Sequence, residues 1–122
     1  MPTLPILLVV EREAYWLAEC QRQLVGQADV RPYDLKDDGT DSIGGLRPAL
    51  VILEVAALHG SLPHLVTRLS RVARVLAVIQ TGEESEEWWL RELGVDAVFC
   101  EDHPRDEVLE TCRRLLGGTR AG

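Results

Sequence analysis

Cysteine is scarce in this chain: Cys20, Cys100 and Cys112 are all it has, and no two stand at a CxxC spacing. An odd number, far apart in sequence, reads as small buried hydrophobes in a reducing compartment, with a redox or metal role the weaker reading. Histidine is as sparse. His59, His64 and His103 are scattered, none has a second ligand at metal-binding spacing, and each reads as surface or loop. No apolar run is long enough to span a membrane, and no basic leader precedes the first one, Ile6–Val10; the expectation is a soluble, cytoplasmic chain with no membrane partner. A Gly-rich phosphate loop is missing too. Glu11-Arg12-Glu13 stands in its place and would repel a nucleotide or flavin phosphate. Nothing resembles a nucleophile elbow. Positive charge is short, 13 Lys and Arg against 20 Asp and Glu for a net of -7. That speaks against nucleic acid and is compatible with a basic partner. There is no internal repeat, linker or low-complexity segment.

What the chain does have is a buried centre, Leu46-Arg47-Pro48-Ala49-Leu50-Val51-Ile52-Leu53-Glu54-Val55. A short run of Leu, Val and Ile without alternation reads as a strand covered on both faces, as in a parallel sheet. Each such side chain contributes roughly 1.5–3 kcal/mol when buried. A charge inside that layer would cost several kcal/mol, so Glu54 is expected where the strand leaves it. In an open α/β sheet that exit edge is where ligands and chemistry gather. The 122 residues, 46% hydrophobic and 27% charged, suffice for one domain with one core.

In chain order, Ile6–Val10 is a first buried strand. Trp16, Leu17, Cys20 and Leu24 share one face of a helix that Gly26 closes. Val30–Leu35 is a weaker strand, and Pro32, which cannot donate to a ladder, assigns it to an edge. Asp37-Asp38-Gly39 reads as a turn. A short helix or an irregular loop follows, with Asp41 or Ser42 as a cap and Gly44-Gly45 opposing the helix. Pro48–Val55 is the central strand. His59-Gly60-Ser61 turns, and Ser61 caps a helix to about Arg71, with Pro63 in its first turn and Leu62, Leu65, Val66 and Leu69 facing inward. Val75–Ile79 is the fourth strand, with Gln80 and Thr81 at its exit. Gly82 to Glu87 opens another helix, its acids suited to the positive end of the helix dipole. Trp89, Leu90 and Leu93 face in, Trp88 does not, and Gly94 ends it. Val95–Cys100 is the fifth strand, ending at Glu101-Asp102. Pro104 opens a last helix with the stripe Val108, Leu109, Cys112, Leu115 and Leu116, stopped by Gly117-Gly118. Five strands alternating with helices predict a parallel sheet with right-handed crossovers and helices on both faces. The whole is one domain over residues 1–122, with a core from about 4 to 116 and a frayed tail over 117–122.

With its elements in this order, the chain resembles the receiver domain of bacterial two-component response regulators, the CheY-like family, from about Leu4 to Leu116. Ile6-Leu7-Leu8-Val9-Val10-Glu11 is similar to the family's opening strand and acidic turn. Arg47-Pro48-Ala49-Leu50-Val51-Ile52-Leu53-Glu54 is similar to its central strand, which ends on the phosphorylated aspartate. Val78-Ile79-Gln80-Thr81 resembles the strand that ends in a hydroxyl, and Leu90-Arg91-Glu92-Leu93-Gly94-Val95-Asp96 the region before the last strand. The resemblance implies a flavodoxin-like, doubly wound five-stranded sheet of order 2-1-3-4-5. It also implies a module that accepts a phosphoryl group on a strand-end aspartate with Mg²⁺ and so changes a partner-binding face.

Most working positions depart from that pattern. The acceptor position carries Glu54. The acid that would meet Mg²⁺ most directly is Arg12, or Glu13 if the register slips by one. The family's lysine aligns with Glu101 and the proline after it with Asp102. Its aromatic switch position aligns with Val98, and Phe99, one residue later, points to the strand's other side. Thr81 and Glu11 remain in type. A guanidinium offers a metal no lone pair, and its charge against a divalent cation at ~4 Å repels by about 8 kcal/mol at an effective dielectric of ~20, before relaxation. Without metal or lysine, phosphoryl transfer loses the electrostatic stabilisation that dominates it.

The expectation is that Arg12 pairs with Glu54, Glu13 or both, as the positive charge among Glu11, Glu13 and Glu54. A solvated Arg12 is the alternative. Glu54 is either a fixed mimic of the active state or a polar strand end left by a lost site. The chain reads as a pseudo-receiver: not an enzyme, with no cofactor or metal, and working through protein partners such as a kinase or an output domain. The face implied for partners, or for a homodimer, is the helix of Trp88 with the fifth strand and last helix, Trp88 being the anchor. One alternative is a competent phosphoacceptor using Glu54 or a neighbouring acid, with Glu11 and Glu13 on a divalent metal. Another is a flavodoxin-like small-ligand module.

Overall fold

The computed structural model describes residues 3–34, 43, 45–57 and 62–117. Leu35, the expected turn at Asp37-Asp38-Gly39, the Asp41 or Ser42 cap, Gly44, the His59-Gly60-Ser61 turn and residues 118–122 lie outside these. Five strands, β1 (Ile6–Val10), β2 (Asp29–Pro32), β3 (Leu50–Glu54), β4 (Arg74–Ile79) and β5 (Ala97–Cys100), form one parallel sheet in the order β2-β1-β3-β4-β5. Among the described residues the α-helices are α1 (Trp16–Gln23), α2 (Leu62–Val72), α3 (Glu86–Glu92) and α4 (Arg105–Gly117), Ile43, Gly45 and Leu46 are helical between β2 and β3, and Val55–Ala57, where the central strand was expected to end, is a 3-10 turn. This is the flavodoxin-like, doubly wound architecture.

The sheet is covered on both sides, which explains why its inner strands lack alternation. Leu8, Val10, Val51, Leu53, Val75, Ala77 and Ile79 meet Val66 and Leu69 of α2 and Leu90 of α3. Leu7, Val9, Leu50, Ile52, Leu76 and Val78 meet Trp16 and Cys20 of α1 and Val108, Leu109 and Cys112 of α4. Leu17, Leu65, Trp89, Leu93, Leu115 and Leu116 are only half-buried at the margins, and the Leu62 side chain is outside the description. Among the described residues no helix is long and apolar enough to cross a membrane.

Several boundaries differ from the sequence reading, each for a local reason. β2 starts at Asp29, whose N–H donates to the Pro5 carbonyl at 2.8 Å, and stops at the edge proline, Pro32. β3 starts at Leu50 because Pro48 has no N–H to give; Ala49 N donates to Ile6 O at 2.8 Å just before the strand. α3 starts at Glu86 and not near Gly82. The Glu83 carboxylate accepts from Gln80 N at 3.2 Å and the Glu84 carboxylate from Gly82 N at 3.2 Å, so these side chains build a turn instead of a helical turn. β5 starts at Ala97, because Asp96 brackets Val75: its N–H donates to Val75 O at 2.9 Å and its Oδ2 accepts from Val75 N at 2.8 Å. α4 runs through Gly117, and Arg74 Nη1 donates to the Leu115 carbonyl of its last turn at 2.6 Å.

Candidate functional site

Glu54 closes β3 at the exit edge of the sheet, as its place in the run predicts. Two residues past β1, Arg12 turns back onto it. The Arg12 backbone N–H donates to Glu54 Oε1 at 2.9 Å, and the guanidinium Nε donates to the same oxygen at 3.2 Å. Arg12 therefore meets Glu54. No ion pair joins it to Glu13 among the described residues, and Glu13 is exposed. One of the two donors is main chain, so Glu54 fastens the loop after β1 to the central strand whatever side chain residue 12 carries. With 52% of the Arg12 side chain in solvent against 22% for Glu54, the ion pair itself is weak. Arg12→Ala is expected to lower stability by at most about 1 kcal/mol, read as a urea midpoint near neutral pH; a larger drop would mean that the loop itself had moved.

Glu11 was expected in the same acidic pocket, and the structure gives its carboxylate other work. Oε2 accepts from the backbone N–H of Tyr15 at 3.1 Å and of Leu17 at 2.9 Å, and Oε1 from that of Trp16 at 2.9 Å. These are the donors that the start of a helix leaves unpaired. The N-cap residue, Tyr15, makes no side-chain cap bond of its own. A carboxylate set several residues upstream thus caps α1 and sits at the positive end of its dipole.

The resemblance implies Mg²⁺ here, and the residues present do not fit it. Mg²⁺ asks for about six oxygens at roughly 2.0–2.1 Å. Glu11 could turn to a metal only by uncapping α1, Glu54 Oε1 is held by Arg12, and a guanidinium occupies the approach. Among the described residues no three His, Cys, Asp or Glu side chains are grouped to hold a metal ion.

On the neighbouring strands Thr81 is exposed just past β4, its Oγ1 3.7 Å from the Cys100 sulfur. Glu101 accepts from Thr81 N at 3.4 Å, while its own N–H donates to Ile79 O at 2.7 Å. The acid thus binds the main chain of the residue that carries the hydroxyl. Val98 and Phe99 lie on opposite faces of the sheet, Val98 among the α2 and α3 contacts and Phe99 on the α1 and α4 side.

Three features escaped the sequence reading. His103 is exposed but engaged: its Nδ1 accepts from Cys100 N at 3.1 Å and its ring meets Phe99 edge to face at 5.2 Å, closing the turn into α4. Cys20 and Cys112, 92 positions apart in sequence, come together in the core, and the hydrogen bond with Cys112 and then burial push the Cys20 thiol far up. Cys100 is half-buried, not fully buried as expected. Of these, only the cysteine pair had a visible signal, since both residues fall on the inward stripe of their helices.

No protein-family model matches the sequence, and no curated protein does. Solved structures do. A response regulator from Thermotoga maritima superposes with a TM-score of 0.77 at 12% identity, covering 95% of this chain and 100% of that one. A CheY-like receiver domain protein from Methanospirillum hungatei gives 0.73 at 13% identity, with 93% and 94% covered. A response regulator protein from Burkholderia pseudomallei, crystallised with a phosphorylated aspartic acid, calcium ion and citrate, gives 0.68 at 16% identity, with 92% of this chain and 66% of that one covered. The chain has the fold of the receiver domains of two-component response regulators.

Proposed function

We propose that this chain is an atypical receiver module of two-component-type signalling, which acts through protein contacts and does not depend on Mg²⁺-assisted phosphorylation of a strand-end carboxylate. One observation carries the reading: the positive charge beside Glu54 is Arg12, bonded to Glu54 through both main chain and side chain. On this reading Glu11 and Glu13 are acids of a lost pocket, the first turned to capping α1 and the second left in solvent, and Thr81, Val98, Phe99 and Glu101 are the former switch positions. Glu54 keeps a shape: it holds the loop after β1 against β3. A cytoplasmic protein of the signalling pathway, a kinase or a linked output domain, is the partner this reading calls for, met on the side that carries Trp88.

The test is incubation of the purified chain with radiolabelled acetyl phosphate and Mg²⁺. The expected outcome is no acid-stable, base-labile label that depends on Mg²⁺, in wild type or in Glu54→Ala. Mg²⁺-dependent label would establish the competing reading, a phosphoacceptor with a divalent metal that uses Glu54 if the label disappears in Glu54→Ala and a neighbouring acid if it stays.

A further inference from the structure

We propose that the surface formed by α3, the open edge of β5 and α4 docks a protein segment rich in arginine or lysine, with Trp88 as its apolar anchor. This rests on the reading of the chain as a protein-binding receiver module and names the chemistry of the partner.

Trp88 is 72% exposed, while Leu90, two residues on, is fully buried and Trp89 and Leu93 pack against the core. The inward positions of α3 are filled without it. β5 is the last strand of the sheet, with α3 packed on one face and α4 on the other, so the three elements border one side of the molecule. Charge is concentrated on this part of the chain. Residues 82–117, which carry all three elements, hold eleven of the twenty acids and four of the thirteen basic residues, a net of -7, which leaves the remainder neutral.

Three of those four basic residues are paired with acids. Arg91 Nε donates to Glu87 at 2.9 Å, Arg105 turns across to Glu19 of α1 at 3.0 Å, and Arg113 lies 3.7 Å from Glu110 on α4 itself. Glu92, one helical turn past Trp88 and on its side of α3, is exposed, as are Asp102, Asp106 and Glu107. Burial first, and then the neighbouring charge of Glu83, push the Glu86 carboxyl up from its ordinary range. A second copy on the same face would set this negative charge against itself. A basic segment would instead find carboxylates for its charges and an indole face on which a cation stacks.

The experiment uses the full chain and a fluorescein-labelled amphipathic peptide with arginine on one face and leucine on the other, beside a counterpart with glutamine for arginine. Buffers contain EDTA and no phosphodonor. The arginine peptide is expected to bind with quenching of indole fluorescence, more weakly as salt rises, and the glutamine peptide not to bind. Trp88→Ala should weaken binding by roughly tenfold or more, as for a central interface anchor, and Glu92→Gln with Asp106→Asn by several-fold. Asp29→Asn, at the far edge of the sheet, should change nothing. Equal binding of both peptides, or unchanged affinity in a folded Trp88→Ala chain, would overturn the proposal. So would a dimer of the wild type, seen by sedimentation, that Trp88→Ala dissolves, because the occupant is then a second copy. Since no metal or phosphodonor is present, loss of peptide binding leaves the unphosphorylated-module reading standing, and base-labile label would remove that reading without touching the peptide result.

Discussion

Glu11→Ala is expected to destabilise the chain by about 2–3 kcal/mol, with the urea midpoint falling at an unchanged slope. One carboxylate serves three consecutive backbone donors, those of Tyr15, Trp16 and Leu17. A hydrogen bond to a charged group contributes roughly 1.5–3 kcal/mol, and loss of a helix cap costs about 0.5–2 kcal/mol. The three bonds share one acceptor group and do not add, which sets the expected total near the upper end of a single one. Water can reach Tyr15, which is exposed, but not Trp16, which is buried in the α1 contact with the sheet. Glu11→Gln keeps an acceptor and loses the charge, so its loss should be about half as large, in line with the weaker bond of a neutral acceptor. A Glu11→Ala chain within a few tenths of a kcal/mol of wild type would mean that α1 is held by its packing alone.

Gly94→Ala is expected to cost about 2 kcal/mol from two separate sources. Gly94 sits at φ +103 between α3 and β5, a conformation an L side chain adopts only with strain. A Cβ there would also stand 3.2 Å from Ser70 Cβ on α2, closer than the packed helix allows without yielding. The two parts separate in a double-mutant cycle. Gly94→Ala introduced into Ser70→Gly should cost less than in wild type, because the crowding part is gone and the backbone part stays. Equal cost in both backgrounds would place the whole effect in the backbone.

Much of the scaffold was legible because its signals are local. The inner strands carry unbroken apolar runs since both faces are covered, and Pro32 marks the edge strand since it lacks a donor. Arg12 and Glu54 were legible as a pair because a cation among carboxylates at one sheet edge has few places to go. Glu11 was not. Its partners are main-chain groups four to six residues downstream, and no side-chain spacing records them. The start of α3 was misplaced for a related reason: a run of acids fits a helix N-terminus, yet the carboxylates of Glu83 and Glu84 bond locally and hold the chain in a turn. The meeting of Cys20 with Cys112 depends on α1 and α4 sharing one face of the sheet, which only the strand order fixes.

The pairing of Arg12 with Glu54 has its own reporter, the Arg12 amide that donates to Glu54 Oε1. Its ¹⁵N–¹H resonance can be followed while Mg²⁺, and then beryllofluoride, is titrated into the full chain at constant ionic strength. The expected result is no saturable shift of that amide into the tens of millimolar, in wild type and in Glu13→Gln alike. A saturating shift at Arg12 at low millimolar Mg²⁺, enlarged by beryllofluoride, would contradict it, because a metal would then share Glu54 with a guanidinium that should keep it out.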